Sequence, residues 1–370
     1  MAGAAKDRVL LVPFSGLGDL VMHLPLVTVL KEEFEVDIVI DRAYDSFGGF
    51  LKAQGILSEY LSCNQSKTLR GVLAKIVFFL ARIDPRSYRY ILVYDRPLFT
   101  FLSCLLPSRK VIRYGFIRKT LRGPMGWSPY GRPANQTAAV MDFARYLSYP
   151  AVERSYTFSQ PIMDACRGRA RRMLDRFGID SRSGSLVAIG PFANHLYKQA
   201  PFSLFQKVAR HAMDLGLSVA MIGSSADKRR AEAFRQELDL PHRANFLDLV
   251  GQLQWEETIG LLGLSAAFVS NDSGIMHVGL ACGTSTVAFF GPTDPYSLIP
   301  RTTQHLHPVF LGIPCQPCWQ KGPTGRFRCP EVRKACLQQI DPEDVIRLVS
   351  SLVTGLQPSH RIISPTVRHP

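Results

Sequence analysis

The sequence predicts an α/β chain with two parallel, doubly wound sheets. Three observations carry that expectation. Short apolar runs of strand length alternate with helical stretches in the first half, which is the signature of βαβ units. The same alternation restarts after a loose stretch at residues 149–161. Several strand runs end in sharp turns rich in glycine or serine, at the carboxyl ends where open α/β sheets place ligands.

In order, Val9 to Phe14 reads as a buried strand and Ser15-Gly16-Leu17-Gly18-Asp19 as its turn. An apolar helix is expected from Leu20 to Lys31, then strands at Val36 to Ile40 and Tyr90 to Tyr94. Lys67 to Arg82 reads as a basic amphipathic helix, suited either to packing on a sheet or to lying at a membrane surface. A very basic helix, Asp164 to Phe177, leads into the second half. There the order is strand Leu186 to Gly190, helix Phe202 to Leu215, strand Ser218 to Ile222 and helix Ala226 to Glu237. Helix Trp255 to Leu264, strand Ala266 to Val269 and strand Thr286 to Phe290 follow. Asp341-Pro342 starts a last helix, Val345 to Leu356, with proline where no N–H partner is needed. The expected division is residues 1–160, residues 161–340 and a helix-and-tail segment at 341–370.

The most informative stretch is Ser270-Asn271-Asp272-Ser273-Gly274-Ile275-Met276-His277. It joins an apolar run to a small-residue segment, so it reads strand, polar turn, helix, with Asp272 and Ser273 as N-cap candidates. Unpaired N–H groups and the positive dipole end at a helix start suit a phosphate. His277, one turn inside, can face the same anion. Gly291-Pro292-Thr293 ends the next strand, and two such turns in succession point to a nucleotide diphosphate. Lys198, in the loop after the first strand of this half, can reach a phosphate as a compact cation. Gly223-Ser224-Ser225 ends the next strand and admits a nucleotide backbone, with Asp227 behind it either a cap or a ribose contact. In the first half, Asp19 follows Gly16 and Gly18 at a strand end, where it can cap the helix or take a proton from an attacking hydroxyl.

Composition narrows the class. With 370 residues, 46% apolar and 20% charged, the chain can hold two ordinary domains. No apolar run reaches membrane-span length, and Val9 to Phe14 is too short for a signal peptide. The expectation is a soluble, cytoplasmic protein. The net charge is +14, concentrated in residues 1–180, so that half should meet something anionic. Arg109, Lys110, Arg113, Arg118, Lys119 and Arg122 crowd near Tyr114, Phe116 and Trp127. They suit an anionic acceptor or a membrane surface, and no recognised nucleic-acid motif accompanies them. Cys63, Cys104, Cys166 and Cys282 are scattered and read as packing residues. Cys315, Cys318, Cys329 and Cys336 cluster at a spacing that can enclose zinc or iron, or can pack as inert thiols.

Taken together, these parts resemble the ADP-heptose:lipopolysaccharide heptosyltransferases, glycosyltransferase family 9, which have the two-domain GT-B fold. The resemblance rests on Asn271-Asp272-Ser273-Gly274-x2-His277, running through Gly279-Leu280-Ala281-Cys282-Gly283 to Phe290-Gly291-Pro292-Thr293-Asp294-Pro295. Gly16-Leu17-Gly18-Asp19-x5-Pro25, Lys198-x2-Pro201 and Asp248-Leu249-x-Gly251 support it in the same order along the chain. The resemblance implies two Rossmann-like domains facing a central cleft, with the donor on the second and the acceptor on the first. It implies inverting transfer of heptose, or a related sugar, from ADP-heptose to a lipopolysaccharide core or similar bacterial glycan, with no cofactor required for catalysis. By that analogy Asp19 is the general base, and Lys198, Asp272, Ser273, Gly274 and His277 hold the donor, with Gly18 and Ser224 beside it. An anionic glycolipid acceptor would place the protein at the inner face of the bacterial inner membrane. The departures are Met22 where many members carry histidine, with His23 next, and Ser273 for threonine. Alternatives are a protein heptosyltransferase of the autotransporter-modifying type, a nucleotide-sugar 2-epimerase of the same architecture, and a non-catalytic nucleotide-sugar-binding protein.

Overall fold

A computed structural model describes residues 6–13, 16–64, 69–94, 102, 111–113, 136–149, 157–179, 184–238, 245–299, 303–318, 329 and 335–355. The chain divides into two compact units, Met1–Tyr156 and Thr157–Pro370. Of the basic cluster between Arg109 and Arg122, only Arg113 falls on described backbone; the rest, with Cys104 and the tail after residue 355, lie outside it.

The first unit opens with strand β1 (Arg8–Val12), helices α1 (Leu17–Met22) and α2 (Leu24–Leu30), and strand β2 (Glu35–Asp41). Helix α3 (Asp45–Ala53), β3 (Glu59–Cys63), α4 (Leu69–Arg82), β4 (Tyr90–Val93), β5 (Val111–Arg113) and α5 (Gln136–Tyr146) follow. The sheet order is β3-β2-β1-β4-β5, with every pairing parallel. Crossover helices cover both faces, which is why these strands read as nearly continuous apolar runs. Leu10, Val39, Phe79 and Ile91 meet in the core between the sheet and α4.

The helix expected from Leu20 to Lys31 differs: it starts earlier and breaks at His23. The cause is Pro25, which has no N–H to give the Val21 carbonyl and whose ring crowds that carbonyl. His23 fills the break, its Nδ1–H donating to the Asp19 carbonyl at 2.7 Å while its ring stands edge-on to Tyr94.

The second unit begins with α6 (Gln160–Arg176), β6 (Leu186–Gly190), α7 (Phe202–Asp214), β7 (Ser218–Met221), α8 (Lys228–Glu237) and β8 (Phe246–Asp248). It continues through α9 (Trp255–Leu264), β9 (Ala267–Asn271), α10 (Gly274–Ala281), β10 (Thr286–Phe289), α11 (Pro295–Leu298) and β11 (Leu306–Val309). Helices α12 (Ala335–Gln338) and α13 (Pro342–Val353) complete it. Its parallel sheet runs β11-β10-β9-β6-β7-β8. Helix α13 lies against α7, where His211 and Ser350 share a 2.7 Å hydrogen bond. The core joins Val187, Phe205, Val269, Phe289 and Val345. Each unit is therefore a Rossmann-like α/β layer, as the restart of the sequence pattern predicts. No helix among the described residues is long and apolar enough to cross a membrane.

Candidate active site

In the second unit the chain leaves β6 for β7 on one side, while β9 pairs with β6 on the other. The carboxyl ends of β6 and β9 thus flank a topological switch point, where open α/β sheets bind ligands. Asn271 ends β9 and is fully buried. Its Oδ1 accepts from the Ala200 N–H and its Nδ2 donates to the Pro191 carbonyl, both at 2.9 Å. One side chain therefore fastens both ends of the loop after β6 to the end of β9. Within that loop Leu196–Lys198 makes a 3-10 turn, and the Lys198 ammonium meets the Asp272 carboxylate at 2.6 Å. Asp272 is only 2% exposed, and its N–H donates to the Phe289 carbonyl.

Ser273 is the N-cap of α10, in extended backbone, and makes no side-chain capping bond. Its Oγ is shielded from solvent and has no hydrogen-bond partner among the described residues. The N–H groups of a first helical turn have no carbonyl to pair with and carry the positive end of the helix dipole. His277 lies one turn further in, and burial drives its imidazole down to about 4, with Asp272 pulling it up and Lys198 pushing it down. The ring is neutral at pH 7. The structure thus brings Lys198, Asp272, Ser273, Gly274 and His277 together as an ion pair, a helix start, an orphan hydroxyl and a neutral ring. Such an arrangement has the chemistry to hold phosphate oxygens.

The turn after β10 closes one side of it. A Cβ on Gly291 would lie 2.9 Å from the Tyr197 carbonyl, so glycine is what lets the 196–198 turn approach. Gln316, which the sequence reading did not single out, braces this turn from behind. Its Nε2 donates to the carbonyls of Phe290 at 3.1 Å and Gly291 at 2.6 Å, and the Cys318 N–H donates to Pro292. The start of the four-cysteine segment is therefore tied to this turn by the Gln316 side chain and one backbone bond. Burial pushes the Cys336 thiol up to about 12, and Cys315, Cys329 and Cys318 add to the effect as like charges. The four thiols share a neighbourhood, but among the described residues no three Cys, His, Asp or Glu side chains are grouped to hold a metal ion. As placed, they do not form the ligand set that their spacing allows.

Ser224 stands at the end of β7, next to β6 in the sheet. Its hydroxyl donates to Asp227 Oδ2 at 2.7 Å, and Asp227 also pairs with Arg230 at 2.9 Å. Of the two roles open to Asp227, the structure shows the cap. Gly18 and Asp19 lie in the other unit, at its own switch point, where β1 has β2 on one side and β4 on the other. One Asp19 carboxylate oxygen accepts from the Gly16 N–H at 2.9 Å. A Cβ on Gly16 would sit 2.7 Å from that oxygen, so glycine at this position gives the carboxylate its place.

Comparison with known proteins identifies the family. The model of glycosyltransferase family 9 (heptosyltransferase) matches residues 88–325, well over half of the chain. Lipooligosaccharide heptosyltransferase 2 of Haemophilus influenzae is 34% identical over 98 residues, 26% of this chain and 28% of that relative. The match thus spans little more than a quarter of the relative's length. Among solved structures, a glycosyl transferase family 9 protein from Veillonella parvula superposes with a TM-score of 0.67 at 14% identity, covering 95% of this chain and 99% of its own. The E. coli ADP-heptose lps heptosyltransferase II superposes with a TM-score of 0.65 at 16% identity, covering 94% and 99%. These structures share the α/β fold over nearly the whole chain. With a family model matching residues 88–325, the chain belongs to glycosyltransferase family 9, the heptosyltransferases.

Proposed function

We propose that the protein moves heptose, with inversion, from ADP-heptose to a lipopolysaccharide core or similar bacterial glycan. The cradle built on Asn271 and α10 carries this reading, and the names of the family and its relatives supply the sugar. In it the acceptor hydroxyl gives its proton to Asp19 as its oxygen bonds to the anomeric carbon. The bond from that carbon to the diphosphate breaks, and ADP leaves. Lys198, the α10 N–H groups and the Ser273 hydroxyl meet the charge that develops on the leaving oxygen. His277, being neutral, can share a hydrogen bond there without adding charge, and Ser224 and Gly18 border the bound groups.

The test is Asp19→Asn, which keeps an oxygen for the Gly16 N–H. Loss of a general base should lower sugar transfer about 10²–10⁴-fold, with ADP affinity unchanged by calorimetry. Transfer at the wild-type rate would remove Asp19 from the mechanism. Interconversion of a nucleotide sugar without acceptor would replace the transferase reading by an epimerase.

Two finer points belong to the same proposal. The anionic acceptor would be met at a membrane surface through α4, whose Leu73, Val77 and Leu80 are 54%, 62% and 63% exposed at helical spacing. The helix carries Arg70, Lys75 and Arg82 and no acidic residue, which suits anionic lipid. Co-sedimentation with phosphatidylglycerol vesicles should fall in a Leu73→Glu/Val77→Glu variant; undiminished binding would rule α4 out. Cys315, Cys318, Cys329 and Cys336 are the thiols a structural zinc or iron would use. Because the thiols are not grouped as a ligand set among the described residues, protein purified without chelator should carry no stoichiometric metal; metal that is present and is lost in Cys318→Ser would overturn this and give them a structural site.

A further inference from the structure

A cleft of about 730 Å³ runs along the free edge of the first unit's sheet, beside the outermost strand β3 and between α3 and α4. It follows the length of β3 rather than gathering at the carboxyl end of β1, where Asp19 lies. Its volume is that of a small-ligand site. Lys52 and Glu59 form a 2.6 Å ion pair within its wall and neutralise each other. The remaining charges are Arg42 and Arg82 against Asp45, and neither arginine has a carboxylate partner among the described residues. Two further atoms stand out. Asp45 Oδ1 and Ser62 Oγ are shielded from bulk solvent and have no hydrogen-bond partner among the described residues. Buried polar atoms are rarely left so, and each such case calls for an explanation.

A single ligand chemistry accounts for all of these features. A carboxylate and a hydroxyl without partners call for ligand hydroxyl groups. Two guanidinium groups without counter-ions call for an anionic substituent, which they can grip in bidentate fashion. Tyr60 and Phe78 also line the cleft, and aromatic rings of this kind suit the C–H face of a sugar. A plain apolar molecule would leave Asp45 and Ser62 unsatisfied, and a bare anion would make no use of Asp45.

We propose that this edge cleft is a second, separate binding site, taking a saccharide that carries a phosphate or a carboxylate. It stands on the cleft alone and does not depend on the transfer reaction. The experiment is calorimetric titration of the full chain, with ADP at saturation to fill any nucleotide site. The probes are D-glucose 6-phosphate, D-glucuronate, D-glucose and inorganic phosphate. Glucose 6-phosphate or glucuronate should bind at least tenfold more tightly than glucose or phosphate, the tighter of the two naming the anion. That affinity should drop at least tenfold in Asp45→Asn and in Arg82→Ala. Both variants should keep the wild-type thermal midpoint and ADP affinity, which shows that they fold. Equal binding of inorganic phosphate would reduce the cleft to an anion site and overturn the saccharide. So would absence of binding by either charged sugar, competition by ADP, or indifference to both substitutions.

Discussion

Lys198 and Asp272 are the two side chains whose pairing most constrains the candidate site. Asp272 is buried, and the lysine that faces it is the nearest compensating charge. Removing one partner of a buried pair strands the other, at a cost of about 3–5 kcal/mol. Lys198→Ala should therefore lower the thermal midpoint as well as ADP affinity. Adding Asp272→Asn removes the stranded charge and should recover the midpoint without recovering ADP binding. Recovery of both would mean that Lys198 serves only to neutralise Asp272 and does not touch phosphate. At this scale the sequence was informative about residue type and silent about partner. Lys198 and Asp272 both read as donor contacts, yet nothing local says that they meet. Asn271 sat inside the motif without a role, because Pro191 and Ala200, which it joins to β9, lie some eighty and seventy residues away. Gln316 carried no signal at all, since its two bonds to the turn are set by how a distant loop lies against Gly291.

Elements were more legible, because an element's evidence is local. Strand-length apolar runs and helical periodicity located β1, β2, β4, β6, β7, β9 and β10 to within a few residues of their observed ends. The break at His23 was also written locally, in Pro25. How the elements approach one another was not. Helices α6 and α9 illustrate this: a Cβ on Gly260 would fall 2.0 Å from the Cys166 carbonyl oxygen, whereas one on Gly263 would meet the flexible end of Met163 at 2.5 Å. Backbone cannot move aside as a methionine methyl can. Gly260→Ala should force the helices apart and cost about 1–3 kcal/mol or more. Gly263→Ala should be close to neutral, since the helix propensity gained, about 1 kcal/mol, offsets a small side-chain shift. Thermal midpoints of the two variants decide the matter, and equal tolerance would show that the Gly260 approach does not set the spacing. A sequence reader sees two glycines in a helix and has no means to rank them.

For the whole molecule, the two parallel sheets each place a polar turn at their own switch point, and the charges differ in kind. The second unit's turn joins a helix start to the Lys198–Asp272 ion pair, while the first unit's turn presents the Asp19 carboxylate. On this asymmetry we propose the nucleotide for the second unit and the base for the first, which makes a regional prediction. A ligand that binds only the folded state stabilises it by RT ln(1 + [L]/Kd), about 2.7 kcal/mol at a hundredfold excess over Kd. Hydrogen exchange monitored by mass spectrometry should show where that stabilisation falls. ADP should slow exchange in the loop holding Lys198, in residues 271–277 and in the turn after β10, because these backbones are joined through Asn271 and Gly291. Residues 45–62, around the edge cleft of the first unit, should exchange at their ligand-free rates. If ADP instead protected the Gly16–Asp19 turn and left 271–277 unchanged, the nucleotide would belong to the first unit. Asp19 would then face phosphate rather than a hydroxyl, and a carboxylate in that position could not serve as the base.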